Sequence, residues 1–156
     1  MRSYIFDVPG MPFAKQRART LRTGRSYTPR ETVVYENLVK TCFTSKYPGV
    51  VPSDKPFAVM ICAVYPVPAS WSKKDKIKAS EGSITPKKHD WDNVGKIVCD
   101  ALNDVAWIDD KQIFSGFVLK KYGDRPCVRV LIYEYDVDGE LSKEGRQTLW
   151  QELTQQ

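Results

Sequence analysis

Aspartates are concentrated in one short stretch of this chain. Between Asp90 and Asp110 there are six aspartates and a single lysine, Lys96, although the whole chain has a formal net charge of +5. Like charges held close together raise one another's pKa and destabilise a fold unless something neutralises them. Clustered carboxylate oxygens are also the ligands that hard divalent cations such as Mg²⁺ prefer. The stretch is therefore a candidate metal site in an otherwise basic chain.

The spacing of these residues is compatible with chemistry at a phosphate. Asp90 and Asp92 are two residues apart, so in an extended segment both carboxylates point to the same side. Lys96 follows Asp92 by one helical turn, and Asp109 and Asp110 stand where the chain returns after a helix. Metal ions held by carboxylates often assist hydrolysis or transfer at phosphates, and a nearby lysine can stabilise the charge that develops.

A purely structural interpretation of the same residues is equally open at this point. Aspartate is a common N-cap, and Asp109 with Asp110 also suits a plain turn. Lys96 and Asp100 are spaced for an ion pair on a helix surface. Asp100 and Asp104 fit helix-face or capping groups better than ligands.

A second charged segment lies near the N-terminus and is entirely basic. Residues 15–30 contain six cations and no acid, namely Lys15, Arg17, Arg19, Arg22, Arg25 and Arg30. A solvated loop is one interpretation. Six cations without a counter-charge exceed what solubility requires, so we favour a phosphate-binding surface.

Periodicity and turn signals predict the elements that position these residues. In chain order they are a strand at 3–8, a helix at about 29–46, a buried strand at 56–67, a short lysine-rich helix ending near Gly82, a helix from Asp92 to about Asn103, and strands at 112–123 and 127–135. The second long helix carries an apolar stripe formed by Val94, Ile97, Val98, Ala101 and Leu102. These elements predict one α+β domain, with a mixed or antiparallel sheet packed by helices.

Three local details accompany this prediction. Thr28 and Glu31 are spaced as a capping box that opens the first helix. Asp92 or Asn93 is expected to cap the helix that follows the acidic pair. The last two strands are expected to form an antiparallel pair joined through a turn at 123–124.

Composition limits the class of protein. A chain of 156 residues with 42% hydrophobic residues suits one globular domain over residues 1–156, with the tail from about residue 140 helical. No apolar run approaches the roughly 20 residues needed to cross a bilayer. Four scattered cysteines and one histidine exclude the usual zinc spacings and predict reduced thiols in a cytoplasm.

The acidic stretch also resembles a family signature. The sequence "DWDNVGKIVCDALND" followed by "WIDDKQI" is similar to the pattern of the RusA-type Holliday junction resolvases, which are endonucleases common in phages and prophages. "KQRAR", "GRSYTP" and the pair Tyr35-Glu36 also resemble the family, so the likeness spans about residues 5–135. His89 departs from the pattern, because many members have proline there; it either contacts DNA or is exposed.

The resemblance implies roles for individual residues. Asp90, Asp92 and Asp110 match the metal-binding carboxylates, and Lys96 matches the essential lysine. Asp109 and Asn93 are expected beside the ligands. The residues expected to contact DNA are Lys15, Arg17, Arg19, Arg22, Arg25, Lys87 and Lys88. The family implies Mg²⁺, with Mn²⁺ left open, and a homodimer that nicks two strands of branched DNA in recombination or repair.

Two other functions compete with this interpretation. A basic surface without turnover would give a branched-DNA-binding protein that is not an enzyme. Gly82-Ser83 followed by Asp90 and Asp92 also loosely fits a nucleotidyltransferase, but that fold requires a helix between the two motifs. Here only "ITPKKH", with its proline, separates them.

Overall fold

A mixed four-stranded sheet is the centre of the fold in the computed structural model, which describes residues 2–135. In chain order the elements are β1 (Arg2–Pro9), β2 (Arg19–Thr20), β3 (Ser26–Tyr27), α1 (Arg30–Lys46), β4 (Phe57–Pro66), α2 (Lys73–Ser80), α3 (Trp91–Ala101), a short 3₁₀ helix (Asp110–Gln112), β5 (Ile113–Gly123) and β6 (Cys127–Glu134). The strand order is β1-β6-β4-β5. β4 is parallel to β5 and antiparallel to β6.

The helices α1 and α3 pack on one face of the sheet, where they bury the main core. All five residues of the predicted stripe on α3 are buried, which fixes how the helix is rotated. A β-carbon at Gly95 would lie 2.8 Å from Cγ2 of Val118, so glycine at this position lets α3 pack closely on β5. The start of α3, with its acids, is therefore held at a defined place beside β5.

A second apolar cluster lies on the other face of the sheet. Its buried members are strand residues and one residue that follows β6, namely Ala58, Cys62, Val64, Leu131, Tyr133 and Tyr135. The alternation of side chains along β4 explains the two clusters, because successive residues of a strand point to opposite faces. The continuous apolar sequence of β4 thus marks a central strand that is buried on both sides.

The predicted pairing of the last two strands is wrong. β5 and β6 run in opposite directions, but β4 lies between them and hydrogen-bonds to both. The connection after Gly123 crosses the end of β4, where a β-carbon on this glycine would lie 2.7 Å from Cγ1 of Val64. The sequence predicted that Gly123 belongs to a tight hairpin turn. In the structure, Gly123 instead allows the chain to pass close to β4 on its way from β5 to β6.

Both predicted helix caps are also wrong, although the helices themselves are confirmed. α1 starts at Arg30 with Pro29 at the N-cap and no side-chain cap, so the Thr28 capping box does not form. α3 starts at Trp91, and its N-cap residue is Asp90 rather than Asp92 or Asn93. The second correction matters for the site, because Asp90 now marks the boundary between loop and helix.

The remaining architecture agrees with the prediction of an α+β fold with a mixed sheet. The strand at 3–8, the buried strand and the short lysine-rich helix are found as β1, β4 and α2. None of the helices within residues 2–135 combines the length and apolar character that crossing a bilayer needs. The predicted C-terminal helix lies outside the described residues.

Candidate active site

Two aspartates at the start of α3 are available for binding. Asp90 has an extended backbone at the N-cap, and its side chain makes no cap hydrogen bond. Asp92 lies in the first turn, where the helix dipole stabilises a negative charge. Both residues are exposed, and within residues 2–135 neither carboxylate forms an ion pair. Trp91 between them is 62% exposed.

The turn that leads into Asp90 is held by three other residues. His89 has a φ of 62°, which is unusual for a residue other than glycine. Lys120 on β5 donates a hydrogen bond of 2.7 Å to the backbone oxygen of His89. The hydroxyl of Tyr65 lies 3.1 Å from Nδ1 of the same histidine, whose ring also packs against Phe13. Backbone strain of this kind persists only where the surroundings hold it.

The structure contradicts one of the two expectations for His89, namely that its side chain is exposed. Its side chain is half-buried and hydrogen-bonded rather than exposed. Burial lowers its pKa, and the positive charges of Lys88 and Lys120 lower it further. The imidazole therefore supports the turn in its neutral form at neutral pH.

Asp109 and Asp110 lie at the other end of the acidic stretch, on the 3₁₀ helix before β5. The Asp109 carboxylate accepts a hydrogen bond of 2.9 Å from the backbone N–H of Lys111, and this bond lowers its pKa. Asp109 is therefore a capping residue. Asp110, the first residue of the short helix, has its carboxylate beside that of Asp109.

Gln112 fixes the position of this acidic pair. Its Oε1 accepts hydrogen bonds of 2.9 Å from the backbone N–H groups of Ile108 and Asp109. Its Nε2 donates bonds of 2.8 Å to the backbone oxygens of Ser53 and Lys55. A single amide side chain thus ties the acidic pair to the segment before β4.

Within residues 2–135, Lys96 forms an ion pair with Asp100, one helical turn after it, and not with Asp92, one turn before it. Its Nζ lies 3.2 Å from Oδ1 of Asp100, and it forms no ion pair with Asp92 in the described part of the chain. Lys15 reaches the other oxygen of Asp100 at 3.0 Å and also contacts Glu36 on α1. Four alternating charges therefore connect α1, the segment before β2 and α3.

This network changes the interpretation of Lys15. The side chains of Lys15 and Glu36 are only 22% and 19% exposed. Burial lowers the pKa of Lys15, but its hydrogen bonds to Glu36 and Asp100 outweigh burial and raise it overall. We therefore leave Lys15 out of the surface that we propose to contact DNA. The backbone N–H of Lys15 donates to the backbone oxygen of Asn93 at 2.9 Å, which places this segment against the start of α3.

The charges of Asp110 and Asp100 both affect the thiol of Cys99 on α3. Burial raises the pKa of Cys99 to about 12, and the negative charges of Asp110 and Asp100 raise it further. Asp110 thus influences the second half of α3, whereas Asp90 and Asp92 stand at its first turn. The thiol of Cys99 stays protonated at neutral pH and is a poor nucleophile.

A metal site through Asp90, Asp92 and Asp110 remains a prediction. Within residues 2–135, no three histidine, cysteine or acidic side chains are grouped closely enough to hold a metal ion. The type of ligand nevertheless suits Mg²⁺, because aspartates supply hard oxygen donors and two of them have no ionic partner in this part of the chain. The structure fixes the elements that carry the three acids without bringing the side chains together.

The arginines that follow Lys15 lie on an exposed segment that includes β2 and β3. β2 and β3 form a small hairpin whose chain reverses at Gly24, a glycine with a φ of 79°. Arg17, Arg19, Arg22 and Arg25 are all exposed, and none forms an ion pair within the described residues. The structure is thus compatible with their predicted role as phosphate contacts.

Lys87 and Lys88 lie on the loop just before His89. Both are exposed, and they line a groove of about 470 Å³ together with Trp71 and Tyr122. The two aromatic rings meet edge to face, with centroids 5.2 Å apart. Sequence reasoning missed this aromatic pair, because its members come from separate segments and carry no motif.

Sequence comparisons show which proteins this chain is similar to. A family model described as endodeoxyribonuclease RusA matches residues 9–133. A Bacillus subtilis protein named uncharacterized protein YqaN is 33% identical over 135 residues, which cover 83% of this chain and 94% of the relative. The family match includes the basic hairpin, Glu36, α3 and the acidic pair before β5.

Proposed function

Since this chain belongs to the RusA endodeoxyribonuclease family, we propose that it resolves Holliday junctions and related branched DNA by paired, symmetric nicks that depend on Mg²⁺. One observation carries the proposal. Asp90 and Asp92 stand at the start of α3 without ionic partners in the described chain, in a fold that places exposed arginines on a nearby segment. Two carboxylates without ionic partners can bind a divalent cation. The exposed arginines and the bound cation would then attract a DNA phosphate.

Asp90, Asp92 and Asp110 would hold the metal ion, with Mn²⁺ as a substitute for Mg²⁺. When bound, such an ion polarises a phosphate oxygen and lowers the pKa of a bound water. Asp109 would not be a ligand, because its carboxylate already caps the 3₁₀ helix. Asn93 would support the site through its backbone contact with the segment at Lys15.

Lys96 would stabilise negative charge on the phosphate that is attacked. Its side chain is 56% exposed, so a DNA phosphate can reach the ammonium group. In the hydrolysis, water attacks phosphorus in line, the bond from phosphorus to the 3′ oxygen breaks, and that oxygen takes up a proton. The products carry a 5′-phosphate and a 3′-hydroxyl.

The exposed cations would bind the DNA backbone around the site. We assign this role to Arg17, Arg19, Arg22, Arg25, Lys87 and Lys88. Lysine and arginine contacts to phosphates release counterions, so they give affinity that falls steeply with salt and carries no base specificity. Branch recognition would then depend on shape rather than on base edges.

The proposed partner is a second copy of the chain. Resolving a junction requires two cuts on symmetry-related strands, and the described residues carry one candidate site. A twofold homodimer provides two such sites at a fixed distance. We also propose that the protein acts in the cytoplasm of a bacterial host and comes from a phage or prophage.

A competition assay tests this function. A four-way junction and a linear duplex of matched sequence are incubated together with the purified chain, with Mg²⁺ or with EDTA. The proposal expects nicks only with Mg²⁺ and only in the junction. Junction binding without nicks would favour a DNA-binding protein without activity, nicking of both substrates a general nuclease, and nucleotide addition a nucleotidyltransferase.

A further inference from the structure

Lys96 has a carboxylate one turn away in either direction along α3. In an isolated helix an acid four residues before a lysine pairs better than an acid four residues after it. Asp92 is therefore the partner that the helix alone would favour. In the structure, Lys96 instead pairs with Asp100, at 3.2 Å. Contacts from outside the helix must account for this choice.

The segment before β2 and helix α1 supply those contacts. Lys15 binds Oδ2 of Asp100 at 3.0 Å, and its ammonium group also contacts Glu36. The side chain of Asp100 is only 19% exposed, which strengthens its interactions with both lysines. Because Glu36 offsets the charge of Lys15, Asp100 keeps an oxygen for Lys96, and the four groups together are neutral.

We propose that Asp100, held by Lys15 and Glu36, is a positioning residue that keeps Lys96 from pairing with Asp92. Asp92 is then left free for a divalent cation, and the exposed ammonium group of Lys96 stays one helical turn away from that carboxylate's end of α3. This inference rests on the proposed function, in which Asp92 is a metal ligand and Lys96 contacts phosphate.

The loss of Asp100 would have a specific consequence under this proposal. In Asp100→Asn, Lys96 loses its charged partner and turns to Asp92, so the lysine and the metal ion compete for one carboxylate. A network that only ties three segments together predicts something different. In that case Asp100→Asn would lower stability, and removing Lys96 as well would give no recovery.

Isothermal titration of Mn²⁺ and of Mg²⁺ into the full chain without DNA separates these two roles. Asp100→Asn is expected to bind the ions on the order of tenfold more weakly than the unmodified chain. The double variant Lys96→Met with Asp100→Asn is expected to recover the original affinity, because no lysine remains to compete. Asp104→Asn is the matched control, since Asp104 is exposed and forms no ion pair within residues 2–135.

The results that overturn the proposal are equally definite. Unchanged affinity in Asp100→Asn, or equally weak binding in the double variant, would show that Asp100 does not protect Asp92. Should Asp100→Asn not fold, Asp100→Ser removes the same charge with a smaller side chain and is expected to weaken ion binding in the same way, and unchanged binding there would contradict the proposal. If the unmodified chain neither binds these ions nor nicks junctions, the proposed function itself fails. If it does both while Asp100→Asn binds normally, only the present inference fails.

Discussion

Lys120 on β5 donates a hydrogen bond of 2.7 Å to the backbone oxygen of His89, the residue that precedes Asp90. This contact joins the sheet to the turn that orients the first candidate ligand. It also holds a histidine at a φ of 62°, a conformation that such residues adopt only when their surroundings stabilise it. The position of Asp90 therefore depends on a strand that is distant in sequence.

We expect Lys120→Met to slow junction cleavage by on the order of 10- to 100-fold, because a shift of about 1 Å at a reacting group can have that effect. Junction binding should change little, since Lys120 is engaged with backbone oxygens. Single-turnover cleavage and mobility-shift assays measure the two properties. Lys121→Met is the control, because residue 121 points to the opposite face of the sheet. Equal loss in both variants would argue against a role for the turn.

Removing a candidate ligand should separate cleavage from binding. We expect Asp92→Asn and Asp110→Asn each to abolish cleavage, while junction binding persists or tightens because one charge that repels phosphate is gone. Asp104→Asn should behave like the unmodified chain. Cleavage gels run beside mobility-shift titrations provide the measurement. Loss of junction binding in both ligand variants would contradict this division of roles.

Neutralising the basic segment should have the reverse effect. Arg17→Gln combined with Arg19→Gln is expected to weaken binding to junction and duplex alike. If both arginines contact phosphates, the slope of log affinity against log salt should fall by roughly 1.8, or about 0.9 for each contact. Titrations at several salt concentrations give this slope. Arg129→Gln should leave the slope unchanged, because that arginine is paired with Asp7 at 2.8 Å.

Gln112 should matter for stability as well as for activity. Gln112→Ala removes four hydrogen bonds and leaves partly buried backbone groups without partners, so we expect a loss of about 2–3 kcal/mol in the free energy of unfolding. Urea unfolding measures this change. Lys111→Ala is the control, since that side chain is 79% exposed. A loss below about 0.5 kcal/mol, the range of ordinary surface substitutions, would show that the amide does not anchor the acidic pair.

Local sequence signals predicted much of this fold. The stripe from Val94 to Leu102 predicted both α3 and its buried face, because helical periodicity reports burial directly. The continuous apolar run at 56–67 predicted a buried strand, because a strand that is covered on both faces has apolar residues at successive positions. The pairing of β5 with β4 was not predictable, since a turn at Gly123 has the same local signal whether the chain folds back or crosses a neighbouring strand.

The candidate site was predictable in part. Residue types and spacing named Asp90, Asp92 and Lys96 as candidates, and they also offered the Lys96–Asp100 ion pair that the structure contains. The ion pairs of Lys15 with Asp100 and Glu36 were not predictable from local spacing. Lys15 and Glu36 are 21 positions apart in sequence, and Lys15 bridges Glu36 and Asp100 only in the folded chain. The sequence assigned Lys15 to DNA with the other cations of its segment, because a sequence pattern does not show which cations form ion pairs in the folded chain.

Mapping the nicks in a four-way junction tests the central claim most directly. Each of the four strands is end-labelled in turn, and the products formed with Mg²⁺ and with EDTA are sized to the nucleotide and then treated with DNA ligase. We predict two nicks at symmetric positions on opposed strands, formed only with Mg²⁺ and resealed by ligase because they carry 5′-phosphate and 3′-hydroxyl ends. Absence of nicks, or scattered nicks that also appear in a linear duplex, would contradict the account.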